Sequence, residues 1–378
     1  MSVVMTQIPP ITSDVVGAIC ALSSVRSLNL LYAPVGCLAA VRASLDESYL
    51  RNPLYAAQMT ELDAIMGMED AFCNWVGELI QRHPEQELIS LIGAPIPAVS
   101  GVNLKGIANR LEREYQLPVL TIEVTGFNSC YVGMHLVWMA LANRFFQPPV
   151  QHKGIRVNIL GASQFVLGSN SILDDLLTVL HKAEIEVNCI LDSCGNINAL
   201  SEFCAVDCNL VLSHEAFETA RWVQHRYGIP YRFGLPTGNA GLRTFRNDLE
   251  DLVHLSNSAY QDNNRSETIE LEISGKHVVV VAAPTVAASI RNSLLTDYDA
   301  SSVTAVALSP SERHFRIAME QPCLSNLIFT EEPSRLRALF DEADLVLADP
   351  VLQCLVEKAE FFPLSYPPLS CVSIRSHC

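Results

Sequence analysis

Short apolar runs alternate along the chain with longer segments in which apolar residues recur at helical spacing. Short apolar runs bounded by turn residues are typical of strands buried on both faces, and helical spacing indicates amphipathic helices. In the N-terminal part, this pattern predicts strands at 28–32, 88–92 and 118–124 and helices at 15–26, 69–82, 99–115 and 131–146, and it predicts that Asp14 caps the first helix. Because strands and helices alternate, we expect a parallel sheet covered by helices on both faces.

The alternation restarts twice, after Gln147-Pro148-Pro149 and after the polar segment 256–267, which we interpret as linkers. The middle part predicts strands at 155–160, 186–191 and 208–212 and helices at 171–182, 197–204, 216–226 and 240–255. The last part predicts strands at 277–282, 303–308 and 345–347, helices at 286–295, 333–341 and 351–358, and an extended tail. We therefore predict an α/β protein of three Rossmann-like parallel-sheet domains, at 1–150, 151–265 and 266–378.

One turn carries the clearest candidate for chemistry. The apolar strand at 28–32 is followed by Ala33-Pro34-Val35-Gly36, and Cys37 stands where the next helix begins. Unpaired backbone N–H groups and the positive end of the helix dipole meet at such a position and favour an anionic group. Cysteine binds metal as a thiolate, so Cys37 is a candidate metal ligand. The alternative is a buried cysteine after a tight turn.

The sequence around this turn resembles the nitrogenase component 1-type oxidoreductase family. The resemblance begins with Gly17-Ala18, the turn ending in Cys37 and Arg42, and continues through VNILG, CNLVLSHEAFETA, YGIPY and DLVLADPVLQCLVEKA in the order expected for the family. It implies three αβ domains around a central cleft. It also implies that Cys37 is a ligand of an iron–sulfur cluster at the interface between two subunits.

The resemblance has gaps at two other positions where family members carry cluster cysteines. The segment Thr12-Ser13-Asp14 contains no cysteine, and Ala94 occupies the position after the strand at 88–92. A cubane cluster needs about four ligands, so one thiolate cannot hold it alone. Either a homologous subunit supplies the remaining cysteines of a shared [4Fe–4S] cluster, or two copies of this chain pair their Cys37 thiols, or the cluster is lost.

Three further residues are candidate cofactor ligands. Cys130 follows a Gly-Phe loop that lies near the interfacial cluster in the family, and Cys20 is a second thiol that a homodimer would recruit. His214, with Ser213, follows a predicted strand at the edge where open α/β folds bind ligands, and it could ligate or protonate a ligand. The alternatives are packing roles for both cysteines and a surface position for the histidine.

The family resemblance implies a hetero-oligomer that receives electrons from an iron protein-like, ATP-dependent reductase. The chain has no GxxxxGK[ST] phosphate loop, so we expect ATP to bind only to that separate reductase. A catalytic molybdenum or vanadium subunit is disfavoured because the tail lacks a match to the cofactor histidine. A cofactor-assembly scaffold and a cluster-free interaction partner are the alternatives.

Composition excludes several other classes of protein. The net charge of -16 disfavours binding to nucleic acid, which requires clustered positive charge. We predict no transmembrane helix and no signal peptide, and hence a cytoplasmic location. In a reducing compartment the 12 cysteines do not form a disulfide framework, and the sequence has no CxxC pair. We expect Cys73, Cys189, Cys204, Cys208, Cys323 and Cys354 to pack in the core.

Overall fold

The computed structural model describes residues 7–253, 272–308 and 313–370. These residues form two compact units, one comprising Thr12–Val150 with Cys189–Cys204 and the other comprising 7–11, 151–188 and 205–370. Three sheets are present in the described residues, and every strand pairing resolved in them is parallel. The predicted α/β class with several parallel sheets is therefore confirmed. The domain limits at 150 and 265 stay predictions, and segment 256–267 lies outside the described residues.

The first sheet has the strand order β2-β1-β3-β4. Its strands and helices are α1 (Asp14–Leu22), β1 (Ser27–Leu31), α2 (Val35–Ala43), β2 (Leu54–Ala56), α3 (Glu61–Met66), α4 (Glu69–Arg82), β3 (Leu88–Ile92), α5 (Pro95–Ser100), α6 (Leu104–Tyr115), β4 (Val119–Ile122) and α7 (Cys130–Phe145). All residues of the central strands β1 and β3 are buried, as expected for a parallel sheet covered on both faces.

The second sheet repeats this topology, with the order β6-β5-β7-β8. Its segment contains β5 (Arg156–Leu160), α8 (Gln164–Leu167), α9 (Ser171–Lys182), β6 (Glu186–Ile190), α10 (Ile197–Ser201), β7 (Cys208–Val211), α11 (Phe217–Tyr227), β8 (Tyr231–Phe233) and α12 (Gly238–Val253). A short 3-10 turn, Leu191–Ser193, follows β6.

The third sheet has the order β11-β10-β9-β12-β13. Its segment contains β9 (His277–Val281), α13 (Pro284–Thr296), β10 (Ser302–Ala307), α14 (Arg316–Met319), β11 (Ile328–Phe329), α15 (Pro333–Asp341), β12 (Leu345–Ala348), β13 (Glu360–Pro363) and α16 (Pro367–Ser370). The valine-rich strand β9 is central, and Val278–Val281 are fully buried.

The structure corrects four predicted elements. The helix predicted at 15–26 ends at Leu22. The helix predicted at 99–115 is two helices, because Gly101 adopts a left-handed conformation that ends α5. The side chain of Asn103 then caps α6 by accepting a hydrogen bond from the Gly106 amide. The helix predicted at 351–358 is a 3-10 turn that ends at Leu355, and the tail predicted as extended contains both β13 and α16.

Two glycines allow helices α1 and α7 to cross at very short range. A Cβ atom at Gly17 would lie 1.8 Å from the carbonyl oxygen of Cys130, and one at Gly133 would lie 1.8 Å from that of Asp14. Neither distance is compatible with any side chain. Gly17 and Gly133 therefore let the two backbones touch and bring the N-terminal ends of the two helices together.

We expect Gly17→Ala to lower the free energy of unfolding by about 3 kcal/mol, because the new methyl group forces the two backbones apart. Urea denaturation followed by circular dichroism measures this change. Gly36→Ala is the matched control: Gly36 lies in a helix too, but a Cβ there meets nothing within 4 Å. Equal stability of the two variants would contradict the close crossing.

Candidate functional site

The carboxyl ends of β1 and β3 lie side by side in the first sheet. The register pairs Leu31, the last residue of β1, with Ile92, the last residue of β3. The order of strands along the chain reverses between these two, and open α/β sheets bind ligands in the crevice at such a reversal. Cys37 follows β1 and Ala94 follows β3, so the sheet brings both turns to this crevice.

A cavity of about 200 Å³ opens at this crevice. Its lining includes Cys37, Ala94 and Ser13, together with Val15, Val16, Leu31, Ala40, Val41, Ser44, Pro95 and Gly126. The cavity is thus lined by Cys37, by Ala94 and by one residue, Ser13, of the segment 12–14 in which the family resemblance implies a further cysteine. At these positions the chain presents one thiol, one methyl group and one hydroxyl.

Cys37 is the third residue of α2 and is half-buried. Its own amide donates to the carbonyl oxygen of Pro34 at 3.0 Å, so this N–H is used in the first turn. Only Val41 among the residues of α2 is buried. The Cys37 thiol therefore lies in the first turn of a short helix, and all residues of this helix except Val41 are exposed or half-buried in the isolated chain.

Asp14 holds the loop on the other side of the cavity. The prediction that Asp14 caps the first helix is wrong: Ser13 occupies the N-cap position, and Asp14 is fully buried as the first helical residue. Its carboxylate accepts hydrogen bonds from the Gly126 amide at 2.7 Å, the Thr125 amide at 3.1 Å and the Asn128 side-chain amide at 2.9 Å. These charge-assisted bonds fix the loop that carries Gly126 against the start of α1.

Cys20 and Cys130 are buried where α1 meets α7 and do not line the cavity. Burial raises the pKa of the Cys20 thiol well above its usual value, and the nearby Cys130 raises it further. A raised pKa favours the neutral thiol, which is not the metal-binding form. The structure therefore brings neither thiol to Cys37, and their roles as ligands stay predictions.

His214 lies in the other unit, in the 3-10 turn after β7, and is fully buried. The alternative of a surface histidine is therefore wrong. Its ring packs edge-on against Phe315 with the ring centroids 5.0 Å apart. Burial lowers the pKa of His214 to about 3, so the ring is neutral at pH 7 although its Nδ1 lies 3.5 Å from a Glu215 carboxylate oxygen.

The remaining cysteines mostly follow their predicted packing roles. Cys73, Cys189, Cys204 and Cys208 are buried, whereas Cys323 is half-buried. Cys354 is exposed, so its predicted packing role is wrong; the 3-10 turn that replaces the predicted helix changes which residues face the core.

Within the described ranges, no three His, Cys, Asp or Glu side chains are arranged to hold a metal ion. None of the helices in those same ranges is both long and apolar enough to cross a bilayer.

Comparison with known proteins defines the class of this protein. Residues 13–360 match the family described as nitrogenase component 1 type oxidoreductase, and the chain belongs to this family. Among solved structures, one titled nitrogenase Cp1 at pH 6.5 has a TM-score of 0.75 and 15% identity, with 100% of this chain and 89% of that chain covered.

A second structure, titled nitrogenase Cp1 at pH 5, has a TM-score of 0.69 and 14% identity over 97% of this chain and 85% of that one. At these identities the matches show the shared fold alone. No curated protein sequence matches this chain. The family resemblance noted in the sequence is thereby confirmed, and the chain is an oxidoreductase-type subunit of the component 1 class.

We expect Asp14→Ala to destabilise the protein by about 3 kcal/mol, because it leaves the backbone donors of the half-buried residues Thr125 and Gly126 without their acceptor. Urea denaturation measures the loss. Asp70→Ala is the control, since the Asp70 carboxylate is 88% exposed in its ion pair with Arg110 and its removal should cost less than about 1 kcal/mol. A loss at Asp14 no larger than at Asp70 would show that the loop is held by other contacts.

We expect His214 to make the protein less stable as the pH falls. In the unfolded chain a histidine takes up a proton below its ordinary pKa of 6.5, whereas folded His214 stays neutral down to about pH 3. Because only the unfolded state takes up this proton, the free energy of unfolding decreases as the pH falls through this window. Between about pH 7 and about pH 5.5, the loss should be about 1.3 kcal/mol larger in the wild type than in His214→Gln.

Urea denaturation at the two pH values tests this difference. His225→Gln, which removes an exposed histidine, is the matched control and should retain the wild-type dependence on pH. Identical pH dependence in the wild type and His214→Gln would mean that His214 is not held neutral by its burial.

Proposed function

We propose that this chain is the one-ligand subunit of a nitrogenase component 1-like complex. In this proposal, Cys37 and cysteines of a homologous subunit together hold a [4Fe–4S] cluster at the subunit interface. The observation that carries the proposal is the single thiol in the cavity between β1 and β3, flanked by Ser13 and Ala94. A subunit with these residues can supply one ligand of a cluster whose other ligands come from a second subunit.

The residues of the cavity fit a shared cluster and do not fit a complete one. A [4Fe–4S] cluster needs about four ligands and supplies one-electron transfer when bound. Cys37 would provide one thiolate from the half-buried first turn of α2. The loop fixed by Asp14 would close the other side of the cavity and keep Gly126, which has no side chain to fill the space, beside it.

The surface around Cys37 supports a protein partner. In α2 most of the apolar residues are exposed, including Val35 with an exposed fraction of 55%. Val99 in α5 and Phe127 in the loop before α7 are 81% and 78% exposed. Helix α3, which packs on α5, adds exposed Leu62, Ile65 and Met66. Apolar side chains concentrated in this way mark a surface that another protein covers.

We propose a homologous component 1 subunit as that partner, because the missing cluster ligands must come from the chain that covers Cys37. A heterodimer or heterotetramer follows from this choice, and a homodimer is the outcome if a second copy supplies the ligands. Electrons would come from an iron protein-like reductase, which would also carry the ATP site. The complex would be cytoplasmic, where the cysteines stay reduced.

The substrate lies in the partner in this proposal: either a small molecule to be reduced or a bound metallocluster precursor, as in an assembly scaffold. A cluster-free interaction partner is the second candidate function. The observation that favours it is again the lone thiol, since a subunit that has lost its cluster would retain the fold and the apolar surface without needing further ligands.

Anaerobic iron and acid-labile sulfide analysis distinguishes these functions. We expect the chain purified alone to contain no iron, and the complex with its homologous partner to contain about four irons per cluster. Cys37→Ser should remove that iron, because serine does not replace the thiolate, while leaving the complex assembled. Size-exclusion chromatography of each preparation reports the assembly.

Cys354→Ser is the control variant, because it also removes a thiol that the structure leaves accessible but that lies outside the cavity. It should retain the iron of the wild-type complex. Iron in the chain purified alone would contradict a shared cluster, and full iron in the Cys37→Ser complex would remove Cys37 from the ligand set. An iron-free complex in the wild type would establish the cluster-free partner instead.

A further inference from the structure

Two cysteines outside the cavity of Cys37 face each other in the same unit. Cys189 lies near the end of β6, and Cys194 follows the 3-10 turn Leu191–Ser193, which folds the chain back on the strand. The two sulfur atoms are 3.0 Å apart, with the Cys189 thiol donating to the Cys194 sulfur. Their separation in the sequence, C-x-x-x-x-C, is not a common redox or metal motif, so only the turn reveals the pair.

The two thiols differ in exposure and in proton affinity. Cys189 is buried, whereas Cys194 is half-buried and open to solvent. The hydrogen bond from Cys189 lowers the pKa of Cys194, and the same bond together with burial raises the pKa of Cys189. Cys194 is therefore the more readily ionised and more accessible thiol of the pair, which is the property of an attacking thiolate.

The turn that carries Cys194 is held in place on its C-terminal side. The amide of Gly195 donates to the carbonyl oxygen of Ser24 at 2.6 Å, and the amide of Ile197 donates to a carboxylate oxygen of Glu87 at 3.0 Å. Asn196 caps α10 by accepting from the Ala199 amide at 2.9 Å. These bonds hold the residues that follow Cys194, whose sulfur atom lies 3.0 Å from that of Cys189.

We propose that Cys189 and Cys194 form a site of reversible oxidation, at which hydrogen peroxide converts the two thiols into a disulfide. The Cys194 thiol loses its proton and the thiolate attacks one oxygen of hydrogen peroxide. The O–O bond breaks, a sulfenic acid forms, and the hydroxide released takes up that proton and leaves as water. The Cys189 thiol then attacks the Cys194 sulfur, the S–O bond breaks, and the second water leaves with the Cys189 proton. One peroxide is reduced and two thiols are oxidised.

Neither thiol lines the cavity of Cys37, so this inference does not depend on the proposed cluster. The pKa values of the thiols also distinguish this pair from other buried cysteines. Burial raises the pKa of Cys204 to about 12, and that of Cys208 also to about 12. These two thiols are therefore neutral at pH 7 and unreactive by comparison.

Peptide mapping of the full-length protein tests the proposal. The reduced protein is treated with hydrogen peroxide, unfolded in an alkylating reagent and cleaved after glutamate. Cleavage at Glu186 and Glu202 releases a peptide whose only cysteines are Cys189 and Cys194. We expect this peptide to escape alkylation and to lose about 2 Da, the mass of two hydrogens, with recovery of both thiols after dithiothreitol.

Single variants distinguish the two roles. Cys189→Ser should stop the reaction at a Cys194 sulfenic acid that dimedone traps, and Cys194→Ser should leave Cys189 alkylated as in the untreated protein. Cys204→Ser, the control for loss of a neighbouring buried thiol, should still form the disulfide. Circular dichroism verifies that each variant is folded.

Two results would overturn the proposal. One is complete alkylation of Cys189 and Cys194 at peroxide levels that oxidise the exposed thiol of Cys354. The other is dimedone labelling at Cys189 rather than at Cys194 in the single variants. A disulfide formed in the folded wild type but absent from protein unfolded before peroxide treatment would show that the turn creates the reactivity.

Discussion

The parallel pairing of β1 with β3 is the constraint on which the candidate site depends. Both strands are fully buried, so their backbone polar groups have no water as an alternative partner and the ladder must be complete. The register ends the two strands level with each other, at Leu31 and Ile92. Residues far apart in the sequence, Cys37 and Ala94, therefore line one cavity.

The start of α1 and the loop before α7 supply the other wall of this cavity. Gly17 and Gly133 permit backbone contact, and the Asp14 carboxylate then joins the start of α1 to the loop before α7. A buried carboxylate is costly unless its hydrogen-bonding capacity is met. Four donors from residues 125–128 meet it, so the interactions that satisfy this carboxylate also shape the site.

Local sequence signals predicted many elements closely. The helices at 69–82, 171–182 and 333–341 and the strand at 88–92 have the predicted limits. Prediction failed where a single backbone conformation decides the outcome. Gly101 ends α5 with a positive φ, a choice that helical periodicity does not encode, and the predicted capping role of Asp14 was overridden by donors from a distant loop.

The sequence by itself determined the α/β class, the family and the position of Cys37 after the first strand, because these depend on local periodicity and on motifs read along the chain. Only the tertiary structure decided that Ser13 and Ala94 share a cavity with Cys37. It alone decided as well that His214 is sealed from solvent and that Cys189 meets Cys194 across a turn. These facts depend on strand register, helix crossing and turn geometry, which arise when distant segments pack and leave no signature in the spacing of the residues themselves.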